Sequence, residues 1–202
     1  MKSEKFLVSL DRKLRAEDIR LDETALSRLE RFCELLEEWN GIHNLSGAKN
    51  REEIAKNIVD SLIPVTFVAR PNTLLDVGTG AGFPGLVLAA AWPETETVLC
   101  EPLQKRAAFL RLAALELGLE RVRVERKRVE DLSEAPFDLI SSRAVSDTKL
   151  LLDLTRHLAE EDTRWLLYKG SRLSEELEAL EGFAAEKIVE RPPRRYLLLS
   201  RD

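Results

Sequence analysis

One glycine-rich stretch, Leu74–Gly85, constrains the fold of this chain more than any other segment. It begins with an apolar run, Leu74–Val77, and a second apolar run, Leu86–Ala91, follows it. Between them the glycines stand at alternate positions, namely Gly78, Gly80 and Gly82. This order predicts a strand, a tight loop and a helix. Glycines in such a loop adopt backbone angles that side chains forbid, and they let the main chain approach a ligand closely.

Two acids beside the loop narrow the class of ligand. Asp76 ends the first strand, and Glu101 follows a second apolar run, Thr97–Cys100. A strand-end carboxylate about 20 residues past such a loop can accept both hydroxyls of a ribose. The dinucleotide fingerprint fits less well, because Phe83 stands where its third glycine would be. Alternating glycines after an acidic strand end resemble the nucleotide loop of S-adenosylmethionine-dependent methyltransferases. An NAD-type Rossmann domain and a glycine turn without a ligand are the alternatives.

The rest of the chain predicts an α/β fold with a Rossmann-like, doubly wound sheet. From Thr73 onward strands and helices alternate, which implies a mostly parallel sheet. Five further strands bring the predicted total to seven, at Val122–Glu125, Phe137–Ile140, Trp165–Tyr168, Glu186–Glu190 and Tyr196–Ser200. Helices are predicted at Pro102–Leu117, at Thr148–Leu158 and around Leu173, Leu177 and Leu180. Pro192 and Pro193 separate the last two strands, which predicts a hairpin-like return.

The part of the chain before Pro71 contains no convincing strand and predicts a helical extension. One helix carries apolar residues from Leu26 to Trp39, with Asp22 as its cap and Asn40-Gly41 as its end. A second helix is expected to start at Asn50, with Glu53 completing a capping box. We therefore expect an N-terminal helical extension over residues 1–70 and a methyltransferase core, one compact unit, over residues 71–202.

Composition excludes several other classes of protein. The net charge of −5 argues against an overall basic nucleic-acid binder, although it permits local basic patches. Cys33 and Cys100 lie far apart, and no Cys or His spacing suggests a disulfide framework or a metal site. This cysteine usage is typical of a reducing compartment, so we expect a cytoplasmic protein. No apolar run reaches about 18 residues, so no membrane span is expected.

Polar residues follow several predicted strands, where an open parallel sheet binds its ligand. Val129 and Glu130 come past the third strand, where an adenine edge could be read; the alternative for Glu130 is a capping or surface acid. Arg143 follows the fourth strand and could hold a carboxylate or phosphate by two parallel hydrogen bonds. Lys169 ends the fifth strand. A structural ion pair is the alternative for both cations.

Basic residues also cluster away from these strand ends. One cluster comprises Arg121, Arg123, Arg126, Lys127 and Arg128, and another comprises Arg191, Arg194 and Arg195. A basic face of this kind attracts a polyanion such as RNA. Acids are interleaved in the first cluster, so a solvated charged edge explains it equally well.

Several motifs together resemble one family. They are Trp39-Asn40, Asn44-Leu45-Ser46, Asp60-Ser61-Leu62, Asp76–Gly85, Lys105-Arg106, Arg128-Val129-Glu130, Ser142-Arg143-Ala144 and Lys169-Gly170. In this order they resemble the small-subunit ribosomal RNA methyltransferase G family, also called glucose-inhibited division protein B. The resemblance covers about residues 35 to 170. It departs at Asn57, where the family often has histidine, and at Glu101-Pro102, where an Asp-Ser pair is common.

The resemblance implies methyl transfer from S-adenosylmethionine to N7 of a guanine in the 530-loop region of 16S ribosomal RNA. The residues that it assigns to the cofactor are Gly78, Phe83, Val129, Glu130 and Arg143. We add Gly80 and Gly82 of the loop and the strand-end acids Asp76 and Glu101, and take Arg143 and Lys169 as candidate catalytic residues. The expected partner is 16S RNA or the small ribosomal subunit. We expect the protein itself to be a monomer. A methyltransferase acting on a small molecule or protein, or a non-catalytic RNA- or nucleotide-binding module, would use the same fold.

Overall fold

The computed structural model describes residues 2–143, 147–170 and 180–202. Its strands are β1 (Thr73–Val77), β2 (Glu96–Cys100), β3 (Val122–Glu125), β4 (Leu139–Ser142), β5 (Arg164–Lys169), β6 (Phe183–Arg191) and β7 (Arg194–Arg201). Its helices are α1 (Lys2–Ala16), α2 (Glu23–His43), α3 (Arg51–Leu62), α4 (Gly85–Ala91), α5 (Gln104–Glu116) and α6 (Thr148–Thr155). Short 3₁₀ turns occupy Ile63–Thr66, Val129–Asp131 and Arg156–Leu158.

The strands of the described residues form one seven-stranded sheet in the order β3-β2-β1-β4-β5-β7-β6. Strands β1 to β5 pair in parallel, and β7 pairs antiparallel with both β5 and β6. This confirms the predicted mostly parallel, doubly wound sheet. Because β1 lies between β2 and β4, the direction of winding reverses at β1. In sheets of this class the ligand crevice lies at such a reversal, beyond the carboxyl ends of the strands.

Alternation along the central strands divides the core between the two faces of the sheet. On one face, Leu74 belongs to the same buried cluster as Leu10, Phe32 and Ile58 of the first three helices. On the other face, Leu75 belongs to a cluster that includes Trp165 and two leucines of α6. The N-terminal helices therefore share a hydrophobic core with the sheet. A boundary near residue 70 stays a prediction.

The N-terminal helices differ in three ways from the prediction. Helix α1 was not predicted at all. Helix α2 is capped by Asp22 as expected, but it continues through Gly41 and ends at Asn44, whose φ is 47°. Asparagine is one of the few residues that tolerate this left-handed conformation at a helix end. Asn50 caps helix α3 as predicted, because its side chain accepts from Glu53 N. The Glu53 carboxylate accepts from the Lys49 N–H at 2.8 Å rather than from the N–H of Asn50, so the predicted capping box is one residue out of register.

The later strands were all predicted, with bounds that differ by up to three residues; β6, for example, begins at Phe183 rather than at Glu186. Strand β4 lies two residues later than the predicted Phe137–Ile140, because the hydroxyls of Ser141 and Ser142 find buried acceptors and the strand continues through them. The helix predicted around Leu173 and Leu177 lies outside the described residues. Strands β6 and β7 flank Pro192-Pro193, which confirms the predicted hairpin. Among the described residues no helix is both long and apolar enough to cross a bilayer.

Candidate active site

The glycine loop leaves β1 at the point where the sheet reverses its winding. Gly78, Gly80 and Gly82 have φ values of +69°, +61° and +98°. These angles belong to the left-handed region, which side chains rarely adopt. At Gly82 a Cβ atom would also lie 3.1 Å from the Cβ of Leu86. The loop conformation therefore depends on glycine at each of these positions.

Asp76, near the end of β1, fixes the glycine loop through hydrogen bonds. Its buried carboxylate accepts hydrogen bonds from Ser141 Oγ at 2.7 Å and from Gly85 N at 3.0 Å, and a third from the Thr79 hydroxyl. Burial raises the pKa of Asp76 to about 6, against the opposing effect of these three donors. The carboxyl is thus mostly ionised at neutral pH. Its described partners all belong to the loop, the start of α4 and β4, and direct contact with a cofactor stays a prediction.

Glu101 joins the end of β2 to the same loop. One of its carboxylate oxygens accepts from Gly80 N at 2.9 Å, and the other accepts from Leu103 N at 2.9 Å. The side chain is buried. The structure therefore brings together the strand-end acid and the loop glycines that sequence reasoning had selected separately.

The predicted adenine-reading pair lies in the 3₁₀ turn after β3. Val129 is buried in the cluster that includes Val77 and Cys100, so its side chain anchors the turn to the ends of β1 and β2. The thiol of Cys100 donates to the Lys127 carbonyl at 3.3 Å, which ties the preceding segment to β2. Glu130 is exposed and lies 3.7 Å from Arg128. This turn is placed beside the loop, and its contact with adenine stays a prediction.

Arg143 directly follows β4 and combines an ion pair with an aromatic contact. Its Nη1 donates to Asn57 Oδ1 at 3.2 Å and to Asp60 Oδ2 at 3.3 Å. The guanidinium lies 4.9 Å from the ring centre of Phe83, and that ring meets Phe32 edge-on at 5.3 Å. Burial lowers the pKa of Arg143, while the charge of Asp60 raises it. The ion pair that the sequence left as an alternative is present, and it holds the arginine against the glycine loop.

Asp60 is a further candidate site residue that was not predicted from the sequence. Besides Arg143, its carboxylate accepts from Tyr196 Oη at 2.7 Å and lies 3.4 Å from Arg194 Nε. The neighbouring Ser61 carbonyl accepts from Tyr168 Oη at 2.7 Å. The Asp60-Ser61 pair was visible in the sequence, but its tyrosine and arginine partners come from the second half of the chain. Only the antiparallel position of β7 beside β5 brings Tyr196 and Arg194 to α3.

Lys169 lies at the carboxyl end of β5 and is buried. Alternate strand residues face opposite sides of a sheet, and Tyr168 faces α3. Lys169 therefore faces the other side, opposite Arg195 of β7 in the register. The two candidate catalytic cations thus approach the strand ends from opposite faces, and a catalytic role for Lys169 stays a prediction.

Most members of the two basic clusters have acidic partners. In the first cluster, Arg121 lies 3.6 Å from both Glu94 and Glu96, and Arg123 lies 2.5 Å from Glu134. Such interleaved pairs are typical of a solvated charged edge. On the hairpin, Arg191, Arg195 and Arg194 pair with Glu17, Glu190 and Asp60 respectively. Contact between the hairpin and RNA stays a prediction.

Both cysteines, Cys33 and Cys100, are buried and free. Burial raises the pKa of each thiol to about 12, so neither is a thiolate at neutral pH. Within the described ranges no group of three or more His, Cys, Asp or Glu side chains could hold a metal ion.

Comparison with known proteins identifies the family. The sequence model of the family described as rRNA small subunit methyltransferase G matches residues 25–190. The chain belongs to this family. A relative from Wolinella succinogenes, named ribosomal RNA small subunit methyltransferase G, is 47% identical over 190 residues, which cover 94% of this chain and 96% of that protein. A relative of the same name from Aliarcobacter butzleri is 41% identical and covers 94% and 97% respectively.

Solved structures of more distant proteins share the fold. A ribosomal protein L11 methylase from Lactobacillus delbrueckii subsp. bulgaricus superposes with a TM-score of 0.59 at 19% identity, covering 73% of this chain and 79% of that one. A variant of MtNAS in complex with S-adenosylmethionine gives a TM-score of 0.59 at 14% identity and covers 86% and 71%. These likenesses confirm the Rossmann-like methyltransferase fold for this family member.

Proposed function

We propose that this chain transfers the methyl group of S-adenosylmethionine to N7 of a guanine in the 530-loop region of 16S ribosomal RNA. Family membership carries the proposal, since relatives up to 47% identical over most of the chain bear the small-subunit methyltransferase G name. The site supports it, because the glycine loop, Glu101 and Arg143 lie where sheets of this class bind a nucleotide. Membership of this family does not favour a small-molecule or protein substrate, or a non-catalytic module.

The loop fits S-adenosylmethionine in shape and in chemistry. Its glycines present main chain without side chains, and the buried Glu101 supplies a carboxylate at the end of β2. The residues proposed to hold the cofactor are Asp76, Gly78, Gly80, Gly82, Phe83, Glu101, Val129, Glu130 and Arg143. In this set Asp76 also holds the loop in place through its hydrogen bonds to Gly85, Thr79 and Ser141. When bound, the cofactor supplies an electrophilic methyl group on a sulfonium sulfur.

The residues of the site match a reaction that needs no general base. Guanine N7 is a lone pair without a proton to lose, so the chain has to position the base and exclude water. Asp76 is occupied by three internal hydrogen bonds, and Arg143 is held against Phe83 by Asp60. Both side chains are thus fixed before substrate arrives. We propose that a monomer acts on 16S RNA or on the small subunit that contains it.

The test maps methylated guanines in 16S RNA. Borohydride reduction followed by aniline treatment breaks the RNA chain at N7-methylguanine, and primer extension locates the break. We expect one break in the 530-loop region in parent cells, its loss when the gene is deleted, and its return with the plasmid-borne gene. The purified protein should restore the break in small subunits from the deletion strain only when S-adenosylmethionine is added. An unchanged pattern in the deletion strain would overturn the proposal.

A further inference from the structure

Two arginines from distant parts of the chain meet at one carboxylate oxygen. Oδ2 of Asp60 lies 3.3 Å from Arg143 Nη1 and 3.4 Å from Arg194 Nε. The other oxygen, Oδ1, accepts from the Tyr196 hydroxyl at 2.7 Å, which fixes the plane of the carboxylate. Helix α3 thus holds a guanidinium from the end of β4 beside one from the start of β7.

At this junction one carboxylate is shared between two guanidinium cations. The charge of the buried Asp76 also acts on Arg143, although Asp76 makes its own hydrogen bonds to Ser141, Gly85 and Thr79. The Asp60 and Arg143 side chains are only 15% and 17% exposed, so water screens the repulsion between the two guanidiniums poorly. The pKa of Arg143 is lowered first by burial and further by the charge of Arg194, whereas the charges of Asp60 and Asp76 raise it. An added anion would relieve this repulsion.

The two arginines differ in what they can reach. Arg143 lies over Phe83, against the glycine loop. Arg194 is 38% exposed and starts β7 at the tip of the hairpin, where Arg191 is opposite it in the register. Arg194 therefore lies on the solvent side of the junction, next to the proposed binding site for S-adenosylmethionine. An exposed guanidinium at this position can contact a polyanion such as RNA from the solvent side.

We propose that Arg194 binds a backbone phosphate of the RNA substrate close to the target guanine, and that Asp60 and Tyr196 are positioning residues that hold Arg194 beside Arg143. This proposal rests on the proposed function of the chain. The carboxylate of the methyl donor is the other anion that two guanidiniums could take. The greater exposure of Arg194 favours the phosphate, and the experiment separates the two.

The experiment compares Arg194→Ala with Arg31→Ala. Arg31 is a matched control because it is 39% exposed, pairs with Glu34 and Glu116, and lies on α2 beside the carboxyl end of α5. Binding of small subunits from a strain lacking the enzyme is measured across salt concentrations. Each phosphate contact contributes a slope of about −0.7 to −0.9 in log affinity against log salt. We expect Arg194→Ala to flatten the slope by about one such contact and Arg31→Ala to leave it unchanged.

Further variants separate a phosphate contact from a structural role. Arg194→Lys should restore the slope, because an ammonium still neutralises a phosphate. Calorimetry should show that Arg194→Ala binds S-adenosylmethionine as tightly as the parent does. The anion that Arg194 binds would then be a phosphate of the RNA and not the carboxylate of the cofactor. Asp60→Asn keeps an acceptor for Tyr196 but removes the shared charge. It should lower kcat by about tenfold or more because Arg143 and Arg194 are no longer held side by side, and it should not flatten the salt slope because Arg194 keeps its charge.

Each alternative outcome has a distinct meaning. A parent-like slope for a folded Arg194→Ala protein would overturn the phosphate contact, and so would an equal loss of slope in Arg31→Ala. Weakened S-adenosylmethionine binding with an unchanged slope would assign Arg194 to the donor. Parent-like kcat in Asp60→Asn would remove Asp60 from the positioning role. In all of these cases the parent enzyme would still methylate guanine N7, whereas failure of the parent itself would refute the proposed function.

Discussion

Gly85, the first residue of α4, has no space for a side chain. A Cβ atom there would lie 2.5 Å from Leu99 Cδ2 and 2.6 Å from both Cβ and Oδ2 of Asp76. The Gly85→Ala substitution should therefore push Asp76 away and loosen the loop that it holds. We expect the free energy of unfolding to fall by about 1–3 kcal/mol, as in other overpacked cores. Urea titration followed by fluorescence measures this change.

Gly47 provides the control for that substitution. A Cβ at Gly47 meets nothing within 4 Å, and neither glycine needs a positive φ. Gly47→Ala should change the stability by less than about 1 kcal/mol. Equal stability of the Gly85→Ala and Gly47→Ala proteins would show that the close packing around Asp76 is not required.

Arg143 offers a test of geometry at constant charge. One of its nitrogens contacts both Asn57 and Asp60 while its plane lies over Phe83, and an ammonium cannot reproduce this combination. We expect Arg143→Lys to fold and melt like the parent but to lose most methyl transfer. Tritium transfer from labelled cofactor to unmethylated small subunits, at saturating cofactor, measures it. Near-parent turnover would assign Arg143 a structural role only.

The residues of the site were predictable to different degrees. Gly78, Glu101 and Arg143 follow from one rule, because the carboxyl ends of parallel strands share an edge. Asp60 and Tyr196 follow from no local pattern, since one is on a helix before the sheet and the other on the last strand. Their contact requires the antiparallel insertion of β7 beside β5, which no short-range signal encodes.

At the scale of elements, agreement was best where a local signal was strong. The glycine loop, the caps at Asp22 and Asn50, and the break at Pro192-Pro193 all marked boundaries correctly. Strand β4 was placed too early because its last residues are serines, whose hydroxyls are satisfied only by Asp76 and the Val77 carbonyl of the neighbouring strand. Tertiary partners there overrode the apolar pattern.

Helix α1 was missed although its apolar spacing was present. Phe6, Leu10 and Leu14 recur at helical spacing and are buried against the rest of the core. We expect Leu10→Ala to lower the free energy of unfolding by about 2–5 kcal/mol, because truncation of this buried side chain leaves a cavity that its neighbours do not fill. Val8→Ala, on the exposed side of the same helix, should change it by less than about 0.5 kcal/mol. A small effect in both variants, measured in urea, would show that α1 does not contribute to the core.

At the scale of the whole molecule, residues 71–202 depend on the N-terminal helices for part of their core and for the ion pair of Arg143. One face of the sheet packs against a single cluster to which Leu29 and Leu36 of α2, and Ile54 and Leu62 of α3, contribute buried side chains. Arg143 depends on Asn57 and Asp60 of the same α3. Removing the N-terminal helices would therefore expose an apolar face and leave a buried arginine without its ion pair.

We accordingly expect a fragment of residues 71–202 to lack a native fold. Exposing the apolar face of the sheet to water would cost more free energy than the net stability that the remaining core provides. Circular dichroism should show no cooperative thermal transition for the fragment, and calorimetry no binding of S-adenosylmethionine. The full chain, purified in the same way, should show both. A fragment that melts cooperatively and binds the cofactor would establish residue 70 as a true domain boundary, and the N-terminal helices would then serve the substrate rather than the core.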